Sequence, residues 1–219
     1  MKPYFETENG KLYHGDCLEI LPDLEPVDLV LTDPPYGAGR DFANDNETPV
    51  VMLKNCFSAL YEICNEDCFV VMDWARQRIF AVDEFRGDWD FLDLLAVTQE
   101  NTMSFCRVGF DVFQIKCLLG KGKPKVAKRG WNLYKTSRVA KAAKFQHPTM
   151  KQVGVYHQVA FQFSKEHDTI LDPFFGSGTT GVACEELGRK WIGIEISEKY
   201  CEIAARRIEK ETQQLRLFA

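Results

Sequence analysis

Two short segments of this 219-residue chain join a carboxylate to a rigid turn at the end of an apolar run. In the first, Leu29-Val30-Leu31-Thr32 leads into Asp33-Pro34-Pro35-Tyr36. A carboxylate next to a backbone carbonyl, fixed by consecutive prolines, can accept hydrogen bonds from both hydrogens of one amino group. On an aromatic amine those two bonds turn the nitrogen toward tetrahedral geometry and free a lone pair otherwise delocalised into the ring. Tyr36 adds a face on which a planar ring can stack. Preorganised acceptors of this kind commonly lower a barrier by several kcal/mol. Taken alone, Asp-Pro simply ends a strand, because Pro cannot continue a ladder.

The second segment runs Thr169-Ile170-Leu171, then Asp172-Pro173-Phe174-Phe175, then Gly176-Ser177-Gly178-Thr179-Thr180-Gly181. This is G-x-G-x-x-G between an expected strand and an expected helix. Glu195 ends the next apolar run, where an acid binds ribose hydroxyls. An adenosine-containing cofactor fits this arrangement. No Gly-Lys-Ser/Thr follows the loop, so it does not read as a phosphate cradle. Four residues also separate the strand from the first glycine, unlike an ordinary dinucleotide site. A carboxylate at the mouth of the loop would repel a pyrophosphate and attract an ammonium or sulfonium. The loop therefore fits S-adenosylmethionine better than NAD.

Elements that position these groups follow from the hydrophobic pattern. Val27–Thr32, Phe69–Met72, Thr169–Leu171 and Trp191–Ile196 read as buried strands, and Phe110–Leu119 as extended. Met52–Ile63, Val155–Phe163 and Thr179–Leu187 read as helices, as does Ser197–Glu211 with Ser197 as its cap. Strands alternating with helices predict an α/β fold, a mostly parallel sheet with helices on both faces. In such sheets ligands bind at the carboxyl ends of the strands, where both Asp-Pro turns fall. The length fits one domain over 1–219.

Charge is distributed unevenly. The net charge of -5 would argue against a polyanionic partner if it were spread evenly. Between Val112 and Lys165, however, there are twelve Lys/Arg and no Asp or Glu, which leaves 15 basic and all 32 acidic residues elsewhere. A charge run is usually a solvated face. Here Trp131, Tyr134 and Phe145 are interleaved, and Ser137 is placed to cap a helix with Arg138, Lys141 and Lys144 along one stripe. The segment 112–146 is accordingly read as a small basic insert that contacts nucleic acid. Its candidate contacts are Lys121, Lys123, Lys125, Lys128, Arg129, Trp131, Arg138, Lys141 and Lys144. Trp131 and Tyr134 either stack on bases or pin the insert to the body.

Together these residues resemble the DNA amino-methyltransferases, which methylate the exocyclic amine of adenine or of cytosine. The order, with Asp33-Pro34-Pro35-Tyr36 before the glycine loop, is similar to the permuted class of that family. The resemblance implies a Rossmann-like fold, S-adenosylmethionine as cofactor and DNA as substrate, with direct in-line transfer to a flipped-out base. It implies catalytic roles for Asp33, Pro34, Pro35 and Tyr36, and its opening Asp, rather than Ser, implies adenine. The cofactor would be held by Asp33 together with Asp172, Phe174, Gly176, Ser177, Gly178, Thr179 and Thr180. Glu195 would take the ribose, Ile196 would pack on the cofactor's adenine, and Asp16 in His14-Gly15-Asp16-Cys17 would accept from the adenine amino group, with Cys17 beside it. His147, Thr149 and Lys151, in His147-Pro148-Thr149-Met150-Lys151, would hold the methionine end. Gln152 departs from the Pro usual at that point. As partners beyond DNA, small size and family habit imply a homodimer and a companion restriction endonuclease.

Other classes are disfavoured or set beside this reading. No Pro-Cys dipeptide supplies the thiolate used to methylate cytosine carbon. The eight cysteines, without a C-x-x-C pair, are expected to be small buried hydrophobes in a reducing cytosol. The four histidines lack metal-ligand spacing, and no metal site is expected. No apolar run reaches the roughly 18 residues of a membrane span. Methylation of the cytosine amine, and a nucleotide-cofactor module or oxidoreductase anchored to DNA by its basic loop, stand as the alternatives.

Overall fold

Leucine and valine alternate along Leu29-Val30-Leu31, and the structure uses both sides of that alternation. It is a computed structural model, described here for residues 1–35, 49–74, 82–100, 105–106, 109–110, 113–128, 133–137 and 152–218. In chain order the elements are β1 (Phe5–Glu6), β2 (Gly10–His14), α1 (Cys17–Ile20), β3 (Val27–Thr32), α2 (Pro49–Ile63), β4 (Cys64–Trp74), α3 (Val82–Phe85) and β5 (Asp90–Glu100). There follow β6 (Phe105–Cys106), β7 (Gly109–Phe110), β8 (Phe113–Gly120), β9 (Leu133–Ser137) and α4 (Val153–Phe163). The chain ends with β10 (Thr169–Asp172), α5 (Thr179–Leu187), β11 (Lys190–Glu195) and α6 (Glu198–Phe218).

One sheet has the order β1-β2-β11-β10-β3-β4-β8-β5-β9, and β6 and β7 form a separate small hairpin. Strands β2, β11, β10, β3 and β4 are parallel neighbours. The expected mostly parallel sheet is therefore present, with two strands reversed: β1 pairs antiparallel with β2 at one edge, and β8 lies antiparallel between β4 and β5. Leu29 and Leu31 face one core layer, shared with Val155, Tyr156 and Val159 of α4, Val182 of α5 and Ala204 of α6. Val30 faces the other, shared with Ile20 of α1, Phe57 and Leu60 of α2, and Phe85 of α3. Truncating a buried leucine such as Leu31 to Ala typically costs about 2–5 kcal/mol. The seven described free cysteines, Cys17, Cys56, Cys64, Cys68, Cys117, Cys184 and Cys201, are all buried. Among the described residues no helix is long and apolar enough to cross a membrane.

The basic segment begins inside this sheet. Phe113–Gly120 is β8, and its Lys116 is 1% exposed and paired with Asp73 of β4. Asp73 also accepts from the Tyr156 hydroxyl at 2.8 Å, and the Lys116 ammonium lies 4.4 Å from the centre of the Tyr156 ring. Burial, then the neighbouring carboxylate of Asp73, pushes the Tyr156 phenol well up and keeps it neutral. One of the twelve positive charges is thus spent in the interior. Further along, Leu133–Ser137 forms the edge strand β9, parallel to β5. The helix expected after Ser137 lies outside the described residues.

Candidate active site

The parallel strands end along one edge, and the chemistry-bearing residues gather there. Asp172, the last residue of β10, pairs with Gly193 of β11, while Thr32, the last of β3, pairs with Met72 of β4. The Thr32 hydroxyl donates to Asp172 Oδ1 at 2.8 Å and the Thr180 hydroxyl to Oδ2 at 2.6 Å. The Phe174 N–H adds a third bond to Oδ1 at 3.1 Å. Asp172 is buried, which pushes its carboxyl up to about 7 against the pull of those three donors, with Asp33 adding a further upward push. This corrects the expectation of a carboxylate open at the mouth of the loop. Three of its lone-pair positions are taken by the protein, and its place is to tie the glycine loop to the end of β3.

Asp33 follows directly, half-buried, with Pro34 buried and Pro35 half-buried. Tyr36 lies outside the described residues. The Asp33 carboxylate and Pro34 carbonyl are thereby set at the edge of the sheet, one residue beyond a buried, hydrogen-bonded Thr32.

The glycine loop turns sharply under backbone control. The Phe175 N–H donates to the Ile194 carbonyl at 2.9 Å and the Gly178 N–H to the Phe175 carbonyl at 3.0 Å. Gly178 stands at the N-cap of α5 with φ 77°, a left-handed conformation that other residues adopt only with strain. Gly193 lets the Phe175 ring close onto the sheet, where it stacks on Trp191 at 5.3 Å. Phe174, half-buried, packs on the opposite core layer.

Glu195 closes the loop from the next strand. Its Oε2 accepts from the Gly176 N–H at 2.7 Å and its Oε1 from the Ser197 N–H at 2.8 Å. Burial raises its carboxyl above the usual range, and the backbone donors oppose that shift. A carboxylate held by backbone N–H groups at the sheet edge is of the kind that accepts from ribose hydroxyls. Ile196 beside it is 43% exposed, an apolar face next to the acid. The Gly15 N–H donates to the Glu195 carbonyl at 3.0 Å, which brings the end of β2 to the same edge. There Asp16 caps α1 by accepting from the Leu18 N–H at 2.9 Å. The Cys17 side chain turns into the core, 4.0 Å from the Cys56 sulfur, so only its backbone borders the site.

Ser177 and Thr179 have a partner that the sequence did not point to. Arg207 of α6 donates to the Ser177 carbonyl at 3.0 Å, to its Oγ at 3.2 Å and to Thr179 Oγ1 at 3.1 Å. Both side chains face inward, and Thr180 is engaged with Asp172. The weak signal for Arg207 was its register with Cys201, Ala204 and Ile208, which are buried on the same helix.

The candidate DNA contacts divide by topology. Because β8 runs antiparallel to β4, Gly120 pairs with Phe69, near the start of the parallel strands. The loop after it emerges toward the opposite edge, three strand residues or about 10 Å before Met72, the partner of Thr32, at about 3.3 Å per residue. Lys121, Lys123, Lys125 and Lys128 are therefore not brought together with the residues of the candidate site. Lys121 donates to the Tyr61 and Cys64 carbonyls at 2.8 and 2.9 Å, where a cation suits the C-terminus of α2. The Lys123 N–H binds Asp67, Lys125 is exposed, and the Lys128 ammonium lies over the Phe161 ring. Strand β9 runs the other way, with Ser137 opposite Glu100, and delivers the chain back to the site edge. Arg129, Trp131, Arg138, Lys141, Lys144, His147, Thr149 and Lys151 lie outside the described residues.

Comparison with known proteins agrees with this geometry. A family model of N6/N4 methyltransferases, described as DNA methylase, matches residues 111–206. The chain is 25% identical over 249 residues to the type II methyltransferase M2.LlaDCHI of Lactococcus lactis subsp. cremoris, covering 95% of this chain and 93% of that protein. The crystal structure of an M1.HpyAVI–SAM complex superposes with a TM-score of 0.72 at 25% identity, covering 91% of this chain and 98% of that one. The cytosine-N4-specific PvuII DNA methyltransferase shares the fold, with a TM-score of 0.76 at 19% identity over 98% and 95% of the two chains. With a carboxylate turn and glycine loop joined at one sheet edge, the chain is similar to the N6/N4 DNA methyltransferases over residues 111–206 and to type II methyltransferases over nearly its whole length.

Proposed function

We propose that the protein transfers the methyl group of S-adenosylmethionine to the exocyclic N6 amine of adenine in DNA. The observation that carries this reading is the bond from Thr32 to Asp172, which sets Asp33 beside the cofactor loop. The cofactor fits the residues present. Glu195 is fixed at the sheet edge as an acceptor for the ribose, exposed Ile196 offers a face for the adenine, and Asp16 borders the same edge. A related structure solved with SAM supports the same choice.

When bound, the cofactor would supply an electrophilic methyl group on a positively charged sulfur, whose S–C bond breaks as the N–C bond forms and which leaves as a neutral thioether. Asp33 and the Pro34 carbonyl accept the two amino hydrogens of the target base, directing the nitrogen lone pair outward. Once the nitrogen has bonded carbon, Asp33 takes the proton that it sheds, with no covalent enzyme intermediate. Tyr36 stacks on the flipped base. His147, Thr149 and Lys151 hold the methionine end. Arg138, Lys141 and Lys144, with Arg129 and Trp131, are the contacts to the DNA in this reading. The opening Asp of the motif favours adenine over cytosine.

Incubating unmethylated DNA with enzyme and cofactor, then analysing its nucleosides, tests the reading. N6-methyl-2′-deoxyadenosine is expected. N4-methyl-2′-deoxycytidine would overturn the choice of base, and no methylated nucleoside would overturn the activity.

A further inference from the structure

We infer that Arg207 is a positioning residue that locks the peptide between Ser177 and Gly178 in its cofactor-binding orientation; this rests on the glycine loop being the cofactor site. Arg207 is 4% exposed, and its guanidinium reaches three oxygens of the loop. The Ser177–Gly178 peptide is held on both sides, its carbonyl by Arg207 and its N–H by the Phe175 carbonyl. Such a lock is needed where it stands. Gly176 and Gly178 flank Ser177, both with positive φ, and a peptide next to glycine turns over readily because no Cβ resists it.

Fold stability alone gives little reason for this arginine. Its charge sits against the N-terminal turn of α5, where the helix dipole disfavours a cation. Burial presses its pKa down, while Glu211 and Glu186 pull the other way. A well-packed apolar side chain often serves as well as a buried charge, or better. What an apolar residue cannot do is donate to a carbonyl and two hydroxyls at once. The surrounding α6 surface is shaped for the loop as well: a Cβ on Gly178 would come within 3.0 Å of Ala204, and one on Gly181 within 2.7 Å of Ile208.

The test compares Arg207→Met, Arg207→Lys and Glu195→Gln with the wild-type chain. S-adenosylmethionine affinity is read by calorimetry, and kcat and KM by methyl transfer to DNA. Arg207→Met should weaken cofactor binding by about tenfold or more, and Arg207→Lys, which keeps the charge but loses the planar head that fixes the single donating nitrogen Nη1, by about threefold. At saturating cofactor kcat should stay within about twofold of wild type, since the lock acts on binding and not on the amine. If the Met variant does not fold, the Lys variant alone decides. Unchanged affinity in the folded variants, or a loss of kcat with KM unmoved, overturns the inference. Weakened binding by Glu195→Gln alongside unchanged Arg207 variants would sink Arg207 but leave the site. Wild-type affinity in Glu195→Gln would remove the site itself, and this inference with it.

Discussion

The Thr32 hydroxyl and the Asp172 carboxylate, 140 residues apart in sequence, meet at 2.8 Å and join the catalytic-type turn to the glycine loop. Replacing Thr32 by Val keeps the shape and removes one donor to a buried carboxylate. Urea denaturation should show a loss of about 1–3 kcal/mol, the usual cost of leaving such a group short of a partner. An unchanged midpoint would mean that Thr180 and Phe174 suffice.

Asp172 also sets a pH dependence. Its folded carboxyl titrates at about 7, above an unfolded value of 3.8, so the folded state binds more protons between those limits. This contribution to stability is fully present below pH 3.8 and is lost as pH rises through 7. Asp172→Asn should flatten that part of the profile, gaining stability relative to wild type as pH rises toward 8. Parallel melting curves for the two proteins from pH 5 to 8 would refute the assignment.

Removing the carboxylate proposed to act in catalysis should separate chemistry from binding. Asp33→Ala should lower methyl transfer by about a hundredfold or more, the scale for losing one preorganised electrostatic group. S-adenosylmethionine binding should persist. Turnover near the wild-type rate would exclude Asp33 from the reaction.

Glycine at 193 is expected to be indispensable for packing. A Cβ there would lie 2.4 Å from the Phe175 ring, itself stacked on Trp191, so Gly193→Ala has no room without moving the loop. A loss of about 1–3 kcal/mol is expected from overpacking of this kind. Thermal denaturation would measure it.

The two basic groups should differ in salt dependence. Arg138→Ala, Lys141→Ala and Lys144→Ala together should make the slope of log affinity for DNA against log salt shallower by up to about three, at roughly 0.9 per phosphate contact. Lys125→Ala with Lys128→Ala should leave the slope alone. The reverse result would return the DNA to the far edge of the sheet.

Much of the frame was legible because strands buried on both faces read as continuous apolar runs closed by Asp-Pro. Val27–Thr32 and Thr179–Leu187 are observed with the expected bounds. Strand β4 begins at Cys64 rather than Phe69 because Asn65, Glu66 and Asp67 occupy an irregular stretch that masks its start, with Asp67 at φ 63°. Strand β5 was not readable, since Asp90 and Asp93 interrupt its apolar pattern. In the site, the positions of Asp33 and Glu195 at strand ends were legible, but the hydrogen bonds of Asp172 were not, because its partners Thr32 and Thr180 come from other segments. Lys116 and Arg207 look like surface charges in sequence. Only the fold brings Asp73 and Ser177 to them.

The buried cysteines give the chain a built-in reporter. Cys17, Cys56, Cys64, Cys68 and Cys117 lie in one core layer, and Cys184 and Cys201 in the other. An aqueous thiol reagent can reach them only when the layer that shields them opens, so each labelling rate measures a local opening. Mass spectrometry of timed labelling would then tell whether the face of α2 and the face of α5 and α6 come apart together or in turn, and adding cofactor should slow Cys184 and Cys201 first.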